Sequence, residues 1–243
     1  MNEFARYAIY YMPDPSGSFW SAGSRWLGRD AMSGQTLPRP SLPGLAGTNT
    51  DRLTAGPRRY GFHGTLKAPF AAAYAGAEDD LLVALDAFTA SRCPFEIRLE
   101  MASLGDFIAL RLAEPSEPMT ALHRDCVCDL DRFRRPISDA DLARRQRDRL
   151  TPDQDAYLLR WGYPYIFDQF HFHMTLTSRV ASKATKRMIV SALAELFAPH
   201  LAAPHRIDGI GLFGQAALDG PFQVLHWFPL RCAPTFAERD AKS

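Results

Sequence analysis

From residue 4 to 11 the chain alternates, Tyr7, Ile9 and Tyr11 against Arg6, Ala8 and Tyr10, which predicts a first strand ended by Pro13 and Pro15. Phe19, Trp20, Gly23, Trp26 and Leu27 then recur at helical spacing, with Ser16 or Ser18 as a cap and an end near Arg29. Prolines and glycines from Ser33 to Pro57 break the pattern; a loop this long is either a lid over a site or a mobile connector. Glu78, Asp79 and Asp80 open a helix with Leu81, Leu85 and Phe88 as its apolar stripe. Phe95, Ile97, Leu99 and Met101 alternate with polar residues, as do Ile108, Leu110 and Leu112. With Gly105-Asp106 between the two runs, they read as a hairpin. Residues 115–160 read as helical: one segment stopped by Pro136, one from Ser138 to about Arg149, and one opened by Thr151-Pro152. A helix from Ser182, stopped by Pro199, precedes strands at Ile207–Phe213 and Phe222–Leu230. The tail from Thr235 is polar and expected to fray.

One pentapeptide stands out because it occurs twice. Phe62-His63-Gly64-Thr65-Leu66 and Phe172-His173-Met174-Thr175-Leu176 differ at one position, and both read as strands. Alternation puts His63, Thr65 and Lys67 on one face of the first copy. In the second it puts His171, His173, Thr175, Thr177 and Arg179 on one face, against Phe170, Phe172, Met174, Leu176 and Val180. Each motif is followed by helix, strand, strand, so the chain reads as an internal duplication whose motif strands can pack side by side about a pseudo-twofold axis.

Composition narrows the setting. Over 243 residues, 47% hydrophobic and 23% charged is ordinary for a folded domain with a sizeable core. A net charge of +1 gives no global basic field for long nucleic acid. No secretory signal is expected at the N-terminus, and no run reaches the ~18–20 apolar residues of a membrane span. Cys93, Cys126, Cys128 and Cys232 signal neither a disulfide framework nor a thiolate zinc site, which points to a reducing cytoplasm. The run Arg144, Arg145, Arg147 and Arg149 reads as a solvated helix face.

Two facing histidines near their ordinary pKa can act as base and acid, each transfer being worth roughly 10²–10⁴-fold. Thr65 and Thr175 offer hydroxyls to phosphate oxygens, and Lys67 and Arg179 offer charge where negative charge develops. Tyr60, Tyr163 and Tyr165 can stack a base or sugar, or simply pack. His171 and His173 also form an H-x-H pair, but no third ligand motif follows; a zinc hydrolase remains an alternative, in which His171 is a ligand rather than a cleft-side residue. His123, His200, His205 and His226 carry no pattern and read as structural or surface residues.

The paired His-x-Thr-hydrophobic motifs in duplicated halves resemble the 2H phosphoesterase superfamily. The stretches Arg59–Phe70, Trp161–Tyr165 and Phe172–Thr177 resemble more closely a bacterial subgroup encoded in phosphonate-utilisation operons. That subgroup usually has alanine where Gly64 stands. The resemblance implies an α+β fold of two pseudo-symmetric lobes, antiparallel sheets forming a central cleft, and helices outside. It implies a single domain over 1–235, with a first-motif lobe of about 1–113, a helical connector of about 114–160 and a second-motif lobe of about 161–235, then a tail over 236–243. It implies a metal-independent cyclic phosphodiesterase without cofactor, with His63 and His173 as catalytic pair and Thr65 and Thr175 on the phosphate. Lys67, Arg179, Tyr60, His171 and Tyr163 complete the expected substrate-binding set. The expected partner is a small sugar or nucleotide cyclic phosphate, such as ribose 1,2-cyclic phosphate 5-phosphate in phosphonate catabolism. Alternatives are a short RNA end bearing a 2′,3′-cyclic phosphate, or a non-catalytic phosphometabolite or RNA-end binder. No membrane and no obligate protein partner are expected.

Overall fold

A computed structural model describes residues 4–145 and 150–232. Arg147, Arg149 and the tail from Thr235 lie outside the described residues. The elements are β1 (Arg6–Tyr11), α1 (Ser18–Leu27), α2 (Thr50–Arg58), β2 (Gly64–Phe70), α3 (Ala77–Ala90), β3 (Phe95–Ile97), β4 (Leu99–Leu104), β5 (Phe107–Leu112), α4 (Glu117–Asp129), α5 (Asp139–Arg145), α6 (Pro152–Trp161), β6 (His173–Thr175), α7 (Lys183–Leu201), β7 (His205–Ile207), β8 (Gly209–Gln215) and β9 (Gln223–Pro229). The fold is mixed α+β with antiparallel sheets, as expected.

The duplication is visible in element order: β2-α3-β3-β4-β5 is repeated as β6-α7-β7-β8-β9. The two copies share one seven-stranded sheet of order β4-β5-β6-β2-β1-β8-β9, and β3 pairs with β7 in a separate ribbon. The strands cross over between the halves of the sequence. Hairpin β4–β5 lies beside the second motif strand, and hairpin β8–β9 lies on the side of the first. The run 95–101, one strand by its alternation, therefore divides at Arg98, because β3 pairs with β7 while β4 pairs with β5.

β1 lies between β2 and β8, and Tyr7 to Tyr11 are all buried. α1 carries the expected stripe, but its cap is Gly17 rather than a serine. Gly23 of α1 lies under the Phe62 ring, where a Cβ would come within 2.2 Å. Two expectations about breakers are corrected. The 33–57 stretch is not wholly irregular, because Asn49 accepts from Arg52 N–H and starts α2, whose proline falls in its last turn. α7 likewise runs through Pro199 to Leu201, although Pro199 has no N–H to give to the carbonyl four residues back, so the helix closes soon after it. The Thr151 cap and Pro152 form the expected helix start, completed by Gln154 in a capping box.

The cysteine reading is also corrected. Cys93, just past α3, and Cys232, just past β9, form a disulfide 139 residues apart in sequence. α3 packs on β8 and β9. Arg231 N–H donates to Thr89 O and Cys232 N–H to Arg92 O, which aligns the two segments. Tertiary packing makes this pair, so sequence spacing did not announce it, and the cysteine argument for a reducing compartment falls away. No helix among the described residues is long and apolar enough to cross a membrane.

Candidate active site

The two motif strands meet at one point. Gly64 of β2 pairs antiparallel with Met174 of β6. That register sets His63 opposite Thr175 and Thr65 opposite His173. Gly64 is required by this meeting: a Cβ there would lie 2.5 Å from the Phe172 ring. The first motif leaves a gap that the second motif's phenylalanine fills.

Both imidazoles are held alike. His63 Nδ1 lies 2.9 Å from Gly61 O, and His173 Nδ1 lies 2.7 Å from His171 O. A carbonyl only accepts, so Nδ1 carries the proton in each ring and Nε2 is the atom left to gain or lose one. Gly61 has φ +84°, a left-handed turn that suits glycine. Thr65 Oγ1 lies 3.4 Å from His63 Nε2. The His63 ring lies 4.0 Å from that of Tyr10 and 5.9 Å from that of Tyr60, which itself stacks on Phe222 at 5.2 Å. Burial in this aromatic seat lowers the His63 pKa to about 4; the Gly61 carbonyl opposes the shift and the charge of His173 adds to it. Burial also lowers the pKa of His173, opposed by the His171 carbonyl.

A cavity of about 590 Å³ opens over these strands. Of the expected residues, Tyr60, His63, Thr65, Tyr163, Thr175 and Arg179 line it. His173 flanks it beside Phe107, a lining residue 5.7 Å from its ring. No Asp or Glu among the described residues lines it, whereas Arg6 and Arg179 do. Such a cleft favours an anion.

Two expected residues are elsewhere. Lys67 is on the opposite side of the sheet, 3% exposed. Its Nζ donates to Val127 O at 3.0 Å and pairs with Asp131 at 3.2 Å. The reason is a bulge: Tyr10 pairs with Thr65 but the adjacent Ile9 pairs with Lys67, so one step on β1 matches two on β2 and the alternation flips. His171 is exposed and does not line the cavity, because the β6 ladder begins only at His173. Its carbonyl, not its ring, reaches His173. No three His, Cys, Asp or Glu residues among those described converge as a metal-ligand set.

Several residues escaped the sequence reading. Arg6 and Tyr10 line the cleft, and their shared face with Ala8 on β1 was the available signal. Gly56 and Pro57 bring the end of α2 to the cleft, pinned by Gly56 N–H to Ser178 Oγ at 3.0 Å and Ser178 N–H to Leu53 O. His123 braces the motifs from behind the sheet. Its Nδ1 donates to Leu66 O at 2.8 Å, its Nε2 accepts from Phe167 N–H, and its ring stacks on Phe170 at 3.7 Å. A lone histidine on α4 gave no hint of that.

A family model described as "Protein of unknown function (DUF1045)" matches residues 65–223. The chain is 36% identical over 221 residues to a protein of Janthinobacterium sp. (strain Marseille) named ribose 1,5-bisphosphate phosphokinase PhnN, covering 89% of this chain and 49% of the relative. It is 33% identical over 219 residues to the protein of the same name in Laribacter hongkongensis (strain HLHK9), covering 90% and 50%. The chain thus spans about half the length of these curated relatives. Among solved structures, TT0787 of Thermus thermophilus is 14% identical with a TM-score of 0.44, covering 93% of this chain and 98% of that one. E. coli LigT complexed with NADP+ is 13% identical with a TM-score of 0.42, covering 94% and 99%.

Proposed function

The chain belongs to the DUF1045 family, and we propose that it is a metal-independent cyclic phosphodiesterase acting on a small sugar phosphate. The observation that carries this is the pair of histidines, each with Nδ1 fixed on a carbonyl, where two antiparallel strands meet beside a cleft with no carboxylate among its described lining residues.

The phosphodiester sits between the rings, its non-bridging oxygens on the hydroxyls of Thr65 and Thr175. Neutral His63, whose pKa is the more depressed, takes a proton from water at Nε2. The water oxygen bonds to phosphorus, the bond from phosphorus to the ring oxygen breaks, and His173 gives its Nε2 proton to that leaving oxygen. The products are a phosphate monoester and a free hydroxyl. Arg179 at the cleft rim offsets charge on the phosphoryl oxygens. An anion between the rings raises both pKa values, which keeps His173 charged for its role.

For the substrate, the names of the curated relatives are informative. Opening ribose 1,2-cyclic phosphate 5-phosphate at its O2–phosphorus bond yields ribose 1,5-bisphosphate, the compound those names give as a kinase substrate. A chain twice as long, matched here over half its length, can hold a cyclic phosphodiesterase and the kinase that consumes its product.

The test is ester hydrolysis with EDTA present, on ribose 1,2-cyclic phosphate 5-phosphate, 2′,3′-cyclic nucleotides and a cyclic-ended RNA oligomer, with His63→Ala and His173→Ala alongside. Turnover that survives EDTA and disappears in both variants supports the reading. Folded protein inert on the whole panel, or activity lost to chelation and restored by zinc, overturns it.

A further inference from the structure

β2 does not end the ordered path that begins at His63. Past Phe70 the chain continues as a short ladder, with Ala73 N–H donating to Phe133 O and Arg135 N–H to Ala71 O around an Ala72–Arg134 bridge. That ladder fixes residues 133–135 relative to the strand bearing His63 and Thr65. Against it lies a second cavity of about 300 Å³, which shares Arg6 and Pro69 with the main cleft and so adjoins it.

The chemistry of this second cavity is lopsided. Arg6, Arg134 and Arg135 line it, with the Ser138 hydroxyl; Asp141 is the one carboxylate among its described lining residues. Ser138 Oγ donates to Asp141 Oδ2 at 3.0 Å and accepts from Asp141 N–H, which turns this carboxylate toward its own helix start. Arg134 is occupied, donating to Asp131 at 2.8 and 3.1 Å and to Arg160 O at 3.0 Å, and serves as a fixed wall. Arg6 is held by the Gln215 side chain at 2.8 Å and stands in the wall common to both cavities. The Arg135 guanidinium is exposed and makes no hydrogen bond or ion pair among the described residues. Its backbone is anchored and its charge is available.

We propose that this cavity is a second phosphate subsite, which takes a terminal phosphate monoester of the same molecule whose cyclic phosphodiester lies between His63 and His173. The inference rests on the phosphodiesterase reading for the second half of that statement, while the subsite itself rests on the arginines. A guanidinium presents paired N–H donors that match a phosphate dianion, and charge-assisted bonds of this kind are worth roughly 10- to 100-fold in binding. The preferred substrate class is therefore a cyclic phosphate with a separate terminal phosphate.

The test is the ratio of kcat/KM with and without the terminal phosphate, on ribose 1,2-cyclic phosphate and on a 2′,3′-cyclic nucleotide. Wild type is expected to favour the phosphorylated member of a pair at least tenfold. Arg135→Ala brings that ratio toward one, and Arg135→Lys retains part of it. A wild-type ratio near one, or a ratio that Arg135→Ala leaves intact, overturns the subsite while leaving the phosphodiesterase reading standing. If neither member is turned over, calorimetry with ribose 5-phosphate decides. Binding weakened at least fivefold by Arg135→Ala supports the subsite; equal binding, or none in wild type, overturns it.

Discussion

His63 and His173 hold their rings by the same bond to the carbonyl two residues back, yet four residues further on the two copies part. At that position the first motif has Lys67, turned behind the sheet by a bulge and paired with Asp131. The second has Thr177, whose Oγ1 accepts from Ile108 N–H at 2.9 Å while its own N–H and that of Leu176 both donate to Ile108 O. The first copy loses its alternation beyond the threonine at that bulge, while the second still brings Thr177 and Arg179 to the cleft. Charge that reaches the cleft comes instead from Arg179 at the rim and Arg6 on β1.

The comparison is broken most directly at the histidines. His63→Ala and His173→Ala are each expected to lower kcat by roughly 10²–10⁴-fold with thermal melts near wild type; a variant with near wild-type turnover would remove that histidine from the mechanism. Lys67 and Arg179 sharpen it next. Lys67→Met leaves Val127 O without its donor and Asp131 with fewer cations, so a loss of about 2–4 kcal/mol in denaturant unfolding is expected, with kcat/KM within about threefold of wild type. Arg179→Ala is expected to do the reverse, raising KM with no change in melting. Were Lys67→Met inactive but fully stable, the lysine would belong to the cleft after all.

Gly64→Ala tests the fit between the copies. Its methyl meets the buried Phe172 ring, and overpacking of that kind costs about 1–3 kcal/mol. Phe172→Leu in the same chain is expected to recover part of the loss. Additive losses in the double variant would mean the two residues are not in conflict.

Protonation gives the subtler tests. kcat/KM is expected to rise as pH passes about 4, where His63 loses its proton, and to fall as His173 loses its own at a pH below its ordinary 6.5. A profile flat between pH 4 and 8 would count against an acid–base pair. Stability has its own window. His63, His123 and His205 are each lowered to about 4 by burial. Above pH 6.5 they are neutral in both states and contribute nothing. Below it the unfolded chain binds protons that the folded chain refuses, so stability falls from pH 6.5 to about 4. Melting temperatures at pH 7 and 5 read this directly.

Much of this was legible in the sequence because it is local. The alternation of β1, the α1 stripe, the Thr151 cap and the Gly105-Asp106 turn each follow from a few neighbouring residues. The repeated His-x-Thr was legible because the copies corroborate one another. What escaped depended on distant packing: the bulge that turns Lys67, the Cys93–Cys232 bond, and the His123 brace are all set by elements far away in sequence. The 33–57 stretch misled for another reason. Its glycines and prolines spoke for irregularity, while one asparagine and a proline confined to the last turn permit α2.

The exchange of hairpins between the two halves has a consequence for how activity is acquired. β2 takes a neighbour from the start of the chain and, through it, from the end; β6 takes its hairpin from the middle. The second half contains neither of the strands that flank its own motif, and the first half contains only β1. Fragments cut in the connector between β5 and α4 are thus expected to stay unfolded apart and to recover a cleft only when mixed. A partly folded chain holds both histidines and no site, so turnover reports the completed molecule, and nothing earlier on the folding path can borrow it.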